Sequence, residues 1–266
     1  MTPEDTAFVQ AFGLKDAKLL DDSGRNRLIS GFAPGDRPAL LKISMPEARE
    51  EELRGATLME WYGGDGAAQV LARHDHALLL EWIDGARLIE LWQAGRHGEA
   101  VAISVRLVKR LHGKQGAPEG LLPLHAYFAE ALDWEPPSPL LARAKERTVQ
   151  NLSKRHTPRP LHGDIQPRNI LKRGEDWCVI DPVGLSGAAA YDYANLFLNP
   201  WDHSYITRSR AHALKVVETV CGETGHDRYE LIGWGIANAY WWVWRRASLG
   251  MGYNHPEAVL RTLFNL

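Results

Sequence analysis

One short stretch of the chain, LHGDIQPRNIL at positions 161–171, combines side chains that enzymes use with apolar residues on both flanks. Asp164 offers a carboxylate that can accept a proton from a hydroxyl group, and Asn169 offers an amide oxygen five positions later. Leu161 and Leu171 provide apolar anchors on either side of these polar groups. The arrangement predicts a rigid loop that holds a reacting group in place.

A second carboxylate, Asp181, ends the apolar segment WCVID that follows this loop. The turn residues at 174–176 predict a hairpin in which 169–173 pairs with 177–181. Asn169 and Asp181 would then lie side by side at the open end of the hairpin. Two oxygen ligands, one of them anionic, suit Mg²⁺, which prefers hard oxygen donors and often shares them with phosphates.

The order His162, Asp164, Asn169, Asp181 is typical of the phosphoryl-transfer loops of kinase-like enzymes. The tripeptide HGD alone would equally fit a helix-to-strand loop in which Asp164 caps backbone amides. Further features along the chain, in the order that a kinase-like enzyme requires, favour the catalytic interpretation.

Lys42 lies in the apolar strand segment ALLKIS. Strand lysines are commonly solvated edge residues, but a kinase-like lobe needs one that contacts the α- and β-phosphates. A helical glutamate would orient this lysine, and the candidates in the following helix are Glu51, Glu52 and Glu60. We favour Glu52, although all three also fit a solvated helix face.

The segment LLLEWIDGARL begins as an apolar strand and changes character at Asp84. It reads as a connector between two lobes, or else as an ordinary strand end. In a kinase-like fold, the backbone groups of Glu81 and Ile83 would bind the edge of adenine.

The elements that must position these residues fall into two groups. Two strands at 26–32 and 38–44 form a predicted hairpin, and a helix with Pro46 in its first turn is predicted at 46–63. Predicted elements beyond it are strands at 67–73 and 76–83 and helices at 98–113, 122–134 and 139–156.

The predicted fold class is therefore α+β, with the two lobes of a protein-kinase-like fold. A small β-rich nucleotide lobe would span 1–83, and a larger helical lobe with the catalytic loop and the acceptor site would span 84–266. A cleft at the connector near 81–87 is the expected ligand site.

Composition excludes several other classes of protein. The net charge of −2 leaves no basic field for nucleic acid or an anionic membrane, so neither is expected as a partner. Two cysteines and an acidic N-terminus without a signal-peptide pattern favour a cytoplasmic protein. The Trp-rich segment GWGIANAYWWVWRR is too short to span a membrane and predicts a buried helix, or alternatively a substrate border. The oligomeric state stays open.

These motifs resemble the aminoglycoside phosphotransferases, which have a protein-kinase-like fold. The resemblance is closest to the aminoglycoside/hydroxyurea antibiotic resistance kinases, the branch that contains the streptomycin 6-phosphotransferases. It is carried by LLKIS (40–44), ALLLEWIDGARL (77–88), LHGDIQPRNIL (161–171) and above all WCVIDPVGLSGAAAYDYANLFLNP (177–200).

The resemblance implies a role for each matching residue. Asp164 would be the catalytic base or would orient the acceptor hydroxyl, while Asn169 and Asp181 would hold Mg²⁺ on the phosphates of ATP. Lys42 would contact those phosphates. The same resemblance implies backbone contacts of Glu81 and Ile83 with adenine.

Two other residues would have structural roles by the same resemblance. His162 would shape the catalytic loop, and Asp192 in YDYAN would accept hydrogen bonds from the backbone of that loop.

The chain also departs from the protein kinases. It has Gln166 where they carry a lysine, Asp181-Pro182-Val183 where they carry Asp-Phe-Gly, and no glycine-rich loop. The segment 21–28, with one glycine, is either the phosphate loop or a plain turn. These differences favour a small-molecule acceptor.

The predicted function is ATP-dependent O-phosphorylation of a small molecule, with a streptomycin-like aminoglycoside or aminocyclitol as the expected acceptor. A kinase of an amino alcohol or a sugar and a non-catalytic nucleotide-binding module are the alternatives. Acids available for a cationic acceptor, each also explicable as a surface charge, are Asp202, Glu223, Asp227 and Glu230.

Overall fold

A five-stranded antiparallel sheet forms the N-terminal part of the protein in the computed structural model, which describes residues 1–266. The order of its strands is β1-β2-β3-β5-β4. They are β1 (Lys15–Asp22), β2 (Asn26–Ala33), β3 (Arg37–Ser44), β4 (Val70–His74) and β5 (Ala77–Glu81). The predicted hairpin of 26–32 and 38–44 is thus confirmed as β2 and β3, whereas β1 was not predicted.

The two faces of this sheet have different partners. Helix α1 (Pro3–Ala11) packs Phe8 against Ile29 and Leu41 on one face. Because side chains alternate along a strand, Lys42 lies on the opposite face of β3 from Leu41. That opposite face is covered by helix α2 (Arg49–Tyr62) and borders a cleft.

Helix α2 begins later than predicted. Residues 46–48 form a turn, so Pro46 precedes the helix and does not lie in its first turn. The backbone N–H of Ala48 donates to Met45 O at 2.9 Å, which closes that turn before the helix starts at Arg49.

The C-terminal part is mainly helical and holds the largest core cluster. Its helices are α3 (Ile89–Gln93), α4 (His97–Gly113), α5 (Leu124–Tyr127), α6 (Ala129–Asp133), α7 (Pro139–Ser153), α8 (Ser204–Thr207), α9 (Arg210–Thr224), α10 (Arg228–Ser248) and α11 (Asn254–Leu263). None of the protein's helices combines the length and hydropathy that a membrane span requires. The single helix predicted at 122–134 is in fact a short strand followed by α5 and α6.

Short strands in this part frame the catalytic loop. They are β6 (Leu122–Pro123), β7 (Arg159–Leu161), β8 (Ile170–Arg173), β9 (Asp176–Val179) and β10 (Leu185–Gly187). Strands β8 and β9 form the predicted hairpin, joined by a two-residue turn at Gly174 and Glu175. Strand β8 begins one residue later than predicted, and β9 begins one residue earlier and ends two residues earlier.

The two parts meet along this hairpin at two places. In the connector after β5, Ala86 O accepts from Lys172 N at 2.8 Å. In the loop between α2 and β4, Ala68 N donates to Val179 O at 2.9 Å. Gly85 contacts the carbonyl of Lys172 so closely that a Cβ would overlap it.

Candidate active site

A cavity of about 560 Å³ lies between the cleft face of the sheet, α2 and the β8–β9 hairpin. Leu40, Leu78 and Leu80 line it from the sheet, and Leu171 and Ile180 line it from the hairpin. An apolar slot between two such walls can accept a flat aromatic ring. The charged side chains described below lie at the polar end of the same cavity.

The connector leaves backbone groups available at the apolar end of the cavity. Neither the N–H nor the C=O of Ile83 has a hydrogen-bond partner within the protein, and Ile83 lines the cavity. The N–H of Glu81 already donates to Gln69 O at 3.0 Å. Of the two residues predicted to meet adenine, Ile83 therefore has the more available N–H.

The carboxylate of Glu81 serves the structure of the connector. It accepts from the N–H of Gln69 at 2.7 Å and from Nη1 of Arg173 at 2.7 Å. Arg173 also donates to the carbonyls of Gly64 (2.6 Å) and Ala67 (3.2 Å). No local pattern points to this role of Arg173, because its partners lie about a hundred residues away along the chain.

Lys42 sits between two carboxylates at the polar end of the cavity. Its Nζ is 2.5 Å from Glu52 Oε2 and also contacts Asp181 Oδ1. Glu51 pairs instead with an arginine of the β1–β2 turn, and Glu60 pairs with one in β4. Glu52 is therefore the helical acid that meets Lys42.

Both members of the Lys42–Asp181 pair are charged at neutral pH. Burial alone would lower the pKa of Lys42, but Asp181 and Glu52 together hold it above its ordinary value. Burial alone would raise the pKa of Asp181, but the adjacent Lys42 ammonium outweighs burial and holds it below its ordinary value.

The turn between β1 and β2 borders the same end of the cavity. Ser23 and Asn26 line the cavity, and Asn26 Nδ2 donates to Glu52 Oε1 at 2.7 Å. The single-glycine segment predicted as either phosphate loop or plain turn thus lies next to the Lys42–Glu52 pair.

Asp192 holds the backbone at the start of the predicted catalytic loop, residues 162–169. Its carboxylate accepts the backbone N–H groups of His162 (3.0 Å) and Gly163 (2.7 Å), as the resemblance implied. Nδ1 of the His162 ring accepts from the N–H of Asp164 at 3.2 Å, so Nε2 donates to Ile180 O at 3.0 Å. Burial lowers the pKa of His162, and the neutral ring shapes the loop.

The local entry to the loop differs from the prediction. The loop follows the short strand β7 and not a helix, and Asn169 ends a one-turn 3-10 helix (Pro167–Asn169) immediately before β8. Asp181 lies two residues beyond β9, with a φ of 63°. The pairing is shifted by one residue from the prediction, since Ile170 lies opposite Val179. Ile180 N donates to Asn169 O at 2.9 Å, so Asn169 lies opposite Ile180, and Asp181 follows at the same end of the hairpin.

The carboxylate of Asp164 accepts hydrogen bonds from three side-chain amides. Gln166 (2.7 Å) and Asn169 (2.8 Å) donate to Oδ2, and Asn195 donates to Oδ1 at 3.2 Å. Burial, together with the charge of Asp181, raises the pKa of Asp164 to about 7, although the amides act in the opposite direction. Asn195 was not predicted, and Gln166 was noticed only as a departure from protein kinases.

Asn169 and Asp181 fit the requirements of a Mg²⁺ site. Nδ2 of Asn169 is committed to Asp164, while its Oδ1 makes no hydrogen bond. Asp181 likewise uses only Oδ1 for Lys42 and has Oδ2 available. Two hard oxygen donors with uncommitted lone pairs, one of them anionic, match the preference of Mg²⁺.

Helix α2 packs directly on the segment that follows Asp181. A Cβ on Gly55 would overlap the carbonyl oxygen of Pro182, and one on Gly184 (φ 76°) would lie 2.8 Å from the backbone of Arg54. Glycines at both positions therefore let α2 approach the backbone that carries Asp181.

The four acids considered for a cationic acceptor lie in two places. Asp202 pairs with Arg168 of the catalytic loop at 2.7 Å. Glu223, Asp227 and Glu230 cluster at the junction of α9 and α10, where Asp227 caps α10. Only Asp202 contacts the catalytic loop.

Comparisons with known proteins agree with this geometry. Residues 22–246 match the profile of the aminoglycoside/hydroxyurea antibiotic resistance kinases. The streptomycin 3''-kinase of Klebsiella pneumoniae is 34% identical over 242 residues, which cover 86% of this chain and 88% of that protein.

Solved structures share the fold at lower identity. Aminoglycoside phosphotransferase APH(4)-Ia, solved with AMP-PNP and hygromycin B, superposes with a TM-score of 0.65 at 13% identity, over 98% of this chain and 99% of that one. A putative fructosamine-3-kinase of Thermobifida fusca gives a TM-score of 0.65 at 16% identity, over 98% of each chain. The protein-kinase-like fold predicted from the sequence is confirmed.

Proposed function

The chain belongs to the aminoglycoside/hydroxyurea antibiotic resistance kinases, and we propose that it transfers the γ-phosphoryl group of ATP to a hydroxyl of a streptomycin-like aminoglycoside. The observation that carries this proposal is the Asp164 carboxylate, held by three amides beside Asn169 and Asp181. The streptomycin kinase of Klebsiella pneumoniae supports the choice of acceptor.

Residues 1–83 supply most of the nucleotide site in this proposal. The adenine ring occupies the apolar slot and meets the backbone of the connector at Glu81 and Ile83. Lys42, oriented by Glu52, contacts the phosphates. Residues 84–266 contribute the catalytic loop and the acceptor site.

Asn169 and Asp181 would hold Mg²⁺ through the oxygens that the protein leaves uncommitted. When bound, the ion neutralises negative charge on the phosphates of ATP.

Asp164 accepts a hydrogen bond from the acceptor hydroxyl and directs its oxygen for in-line attack. The new O–P bond forms while the bond between the γ-phosphorus and the bridging oxygen of ADP breaks. The hydroxyl proton passes to Asp164 and then to solvent, and ADP leaves. The Lys42 ammonium stabilises the charge on the phosphates through this exchange.

An ADP-release assay in Mg-ATP tests the proposal, with streptomycin, hygromycin B, fructosamine and ethanolamine as separate acceptors. We expect ADP release that depends on streptomycin, and NMR of the product then identifies the phosphorylated hydroxyl. Release with ethanolamine or fructosamine alone would make the protein a kinase of a different alcohol. Binding of Mg-ATP without release on any acceptor would favour a nucleotide-binding module.

A further inference from the structure

A row of buried amides continues from Asp164 into the helical part. Asn195, in the 3-10 helix Ala189–Phe197, is 5% exposed, and Asn238 of α10 is 2% exposed. Neither residue lines the cavity described above. Most buried side-chain amides have hydrogen-bond partners, and the partners of Asn195 and Asn238 connect them to Asp164.

Hydrogen bonds fix which way the Asn195 amide faces. Its Oδ1 accepts from Asn238 Nδ2 at 2.8 Å, and its Nδ2 donates to Gly163 O at 3.1 Å and to Asp164 Oδ1 at 3.2 Å. The hydroxyl of Tyr191 donates to Asn238 Oδ1 at 3.4 Å, so Asn238 is oriented as well. Turning the Asn195 amide over would place two oxygens against each other at Asp164.

The two oxygens of Asp164 are held differently. Oδ2 has two amide donors, Gln166 and Asn169, whereas Oδ1 has the single donor Asn195 at a longer distance. Oδ1 therefore keeps more lone-pair capacity for a further hydrogen bond, and Asn195 is the protein donor next to it.

We propose that Asn195 is a positioning residue that aims Oδ1 of Asp164 at the acceptor hydroxyl, and that Asn238 sets the orientation of the Asn195 amide. This inference rests on the proposed role of Asp164 in phosphoryl transfer. It extends the site to α10, a helix whose residue 238 does not touch Asp164.

The first variant to test is Asn195→Asp, which keeps the size of the side chain. It replaces the donor to Asp164 with a carboxylate oxygen. The two carboxylates repel each other, so Oδ1 of Asp164 is no longer held toward the acceptor. We expect kcat to fall by about tenfold or more. KM for ATP should stay within about twofold, because position 195 lies outside the nucleotide cavity.

The second variant, Asn238→Asp, acts only through Asn195. A carboxylate at position 238 cannot donate to Asn195, so the Asn195 amide turns its Nδ2 toward position 238 and its Oδ1 toward Asp164. We expect kcat to fall as in Asn195→Asp, while KM for ATP stays within about twofold. In an Asn195→Ala background, Asn238→Asp should add no further loss of kcat, because no amide remains to turn.

Asn151→Asp is the matched control. Asn151 of α7 is also buried, at 1% exposure, but its side-chain amide makes no hydrogen bond and lies next to Gly233 of α10. A carboxylate there should lower the melting temperature and leave kcat and KM of the folded protein within about twofold. If Asn195→Asp does not fold, Asn195→Ala removes the donor without adding charge and should lower kcat by a smaller factor.

The assay uses whichever alcohol supports ADP release, with Mg-ATP binding measured by thermal shift to show that each variant is folded. A wild-type kcat in folded Asn195→Asp or Asn195→Ala would overturn the positioning role. If Asn238→Asp behaves like Asn151→Asp, Asn238 does not orient Asn195. If Asp164→Asn keeps wild-type turnover, the proposed role of Asp164 fails and the positioning role of Asn195 falls with it. If Asp164→Asn loses turnover while the Asn195 variants keep it, only the positioning role fails.

Discussion

At the scale of single residues, Asp164 lies in an environment that suits a group which gains and loses a proton. Burial raises the pKa of Asp164 to about 7, and three amides keep the ionised form hydrogen-bonded. The carboxylate is therefore available as an acceptor at neutral pH, while its proton affinity is far above that of an exposed aspartate.

The rate should consequently depend on pH through Asp164. Only the ionised carboxylate accepts the hydroxyl proton, so kcat/KM for the acceptor should fall as pH drops below about 7 and level off above it. The measurement is a pH–rate profile from about pH 5.5 to about pH 9. Asp164→Asn should react about three orders of magnitude more slowly, and its kcat/KM should not fall at acid pH. If kcat/KM of Asp164→Asn falls with the same midpoint pH, a group other than Asp164 causes the fall.

The Lys42–Glu52 pair gives a second prediction for single residues. Glu52→Gln removes one of the two carboxylates at Lys42, so that lysine is less well oriented toward the phosphates. We expect KM for ATP to rise by about tenfold, with a smaller effect on the acceptor. Glu60→Gln, whose partner lies in β4, should leave KM for ATP within about twofold. Equal effects of the two substitutions on KM for ATP would contradict the role of Glu52 in the nucleotide site.

At the scale of elements, helix α2 couples the N-terminal sheet to the segment after Asp181. Gly55 of α2 lies against Pro182, and Glu52 lies one turn away on the same helix. The position of Glu52 relative to Lys42 and Asp181 therefore depends on a glycine contact between helix and backbone.

Substitution of Gly55 by alanine should damage this contact. Within a helix, Gly→Ala normally stabilises by about 1 kcal/mol, but here the added Cβ meets the carbonyl of Pro182. We expect a lower melting temperature and a KM for ATP raised by about fivefold or more, because α2 shifts away with Glu52. Gly222→Ala in α9, where a Cβ meets nothing within 4 Å, is the control and should be neutral or stabilising. A stabilised and fully active Gly55→Ala enzyme would contradict the role of this contact.

At the scale of the whole molecule, the two parts are joined by more than the connector. Arg173 of β8 reaches Glu81 at the start of the connector and the carbonyls of Gly64 and Ala67 in the loop before β4. One guanidinium from the helical part thus binds both places at which the sheet part meets it.

Arg173→Lys should loosen this junction. A lysine ammonium cannot reproduce the three hydrogen bonds of the guanidinium group. We therefore expect the free energy of unfolding, measured in urea, to fall by about 1–3 kcal/mol. Weaker binding of Mg-ATP should accompany the loss, because Glu81 belongs to the connector. Arg155→Lys, at an exposed position without a hydrogen bond, is the comparison. Equal unfolding midpoints for the two variants would show that Arg173 contributes nothing to the junction.

Local patterns in the sequence were enough to predict the β2–β3 and β8–β9 hairpins and the catalytic loop. Asp164, Asn169 and Asp181 lie within eighteen positions of the sequence. The turn between β8 and β9 brings Asp181 back toward Asn169. The lysine on β3 could be assigned to the cleft only through the order of motifs.

Interactions between distant segments could not be predicted in this way. Asn195 and Asn238 are 43 positions apart, and their contact depends on how α10 packs on the 3-10 helix. Gly55 meets Pro182 only after α2 docks on the other part. Helix α1 and strand β1 lack a clear apolar period: α1 buries only Asp5 and Phe8, and the adjacent Leu19 and Leu20 of β1 are both exposed.

The two junctions along the β8–β9 hairpin have a mechanical consequence. A body attached to another at two points has one remaining rotation, about the line that joins them. We therefore infer that the cleft opens for nucleotide entry and ADP exit by rotation about this line. Gly55 of α2 already lies against the backbone of Pro182, so further closure would press the two backbones together. We expect the cleft to open from this position and not to close further.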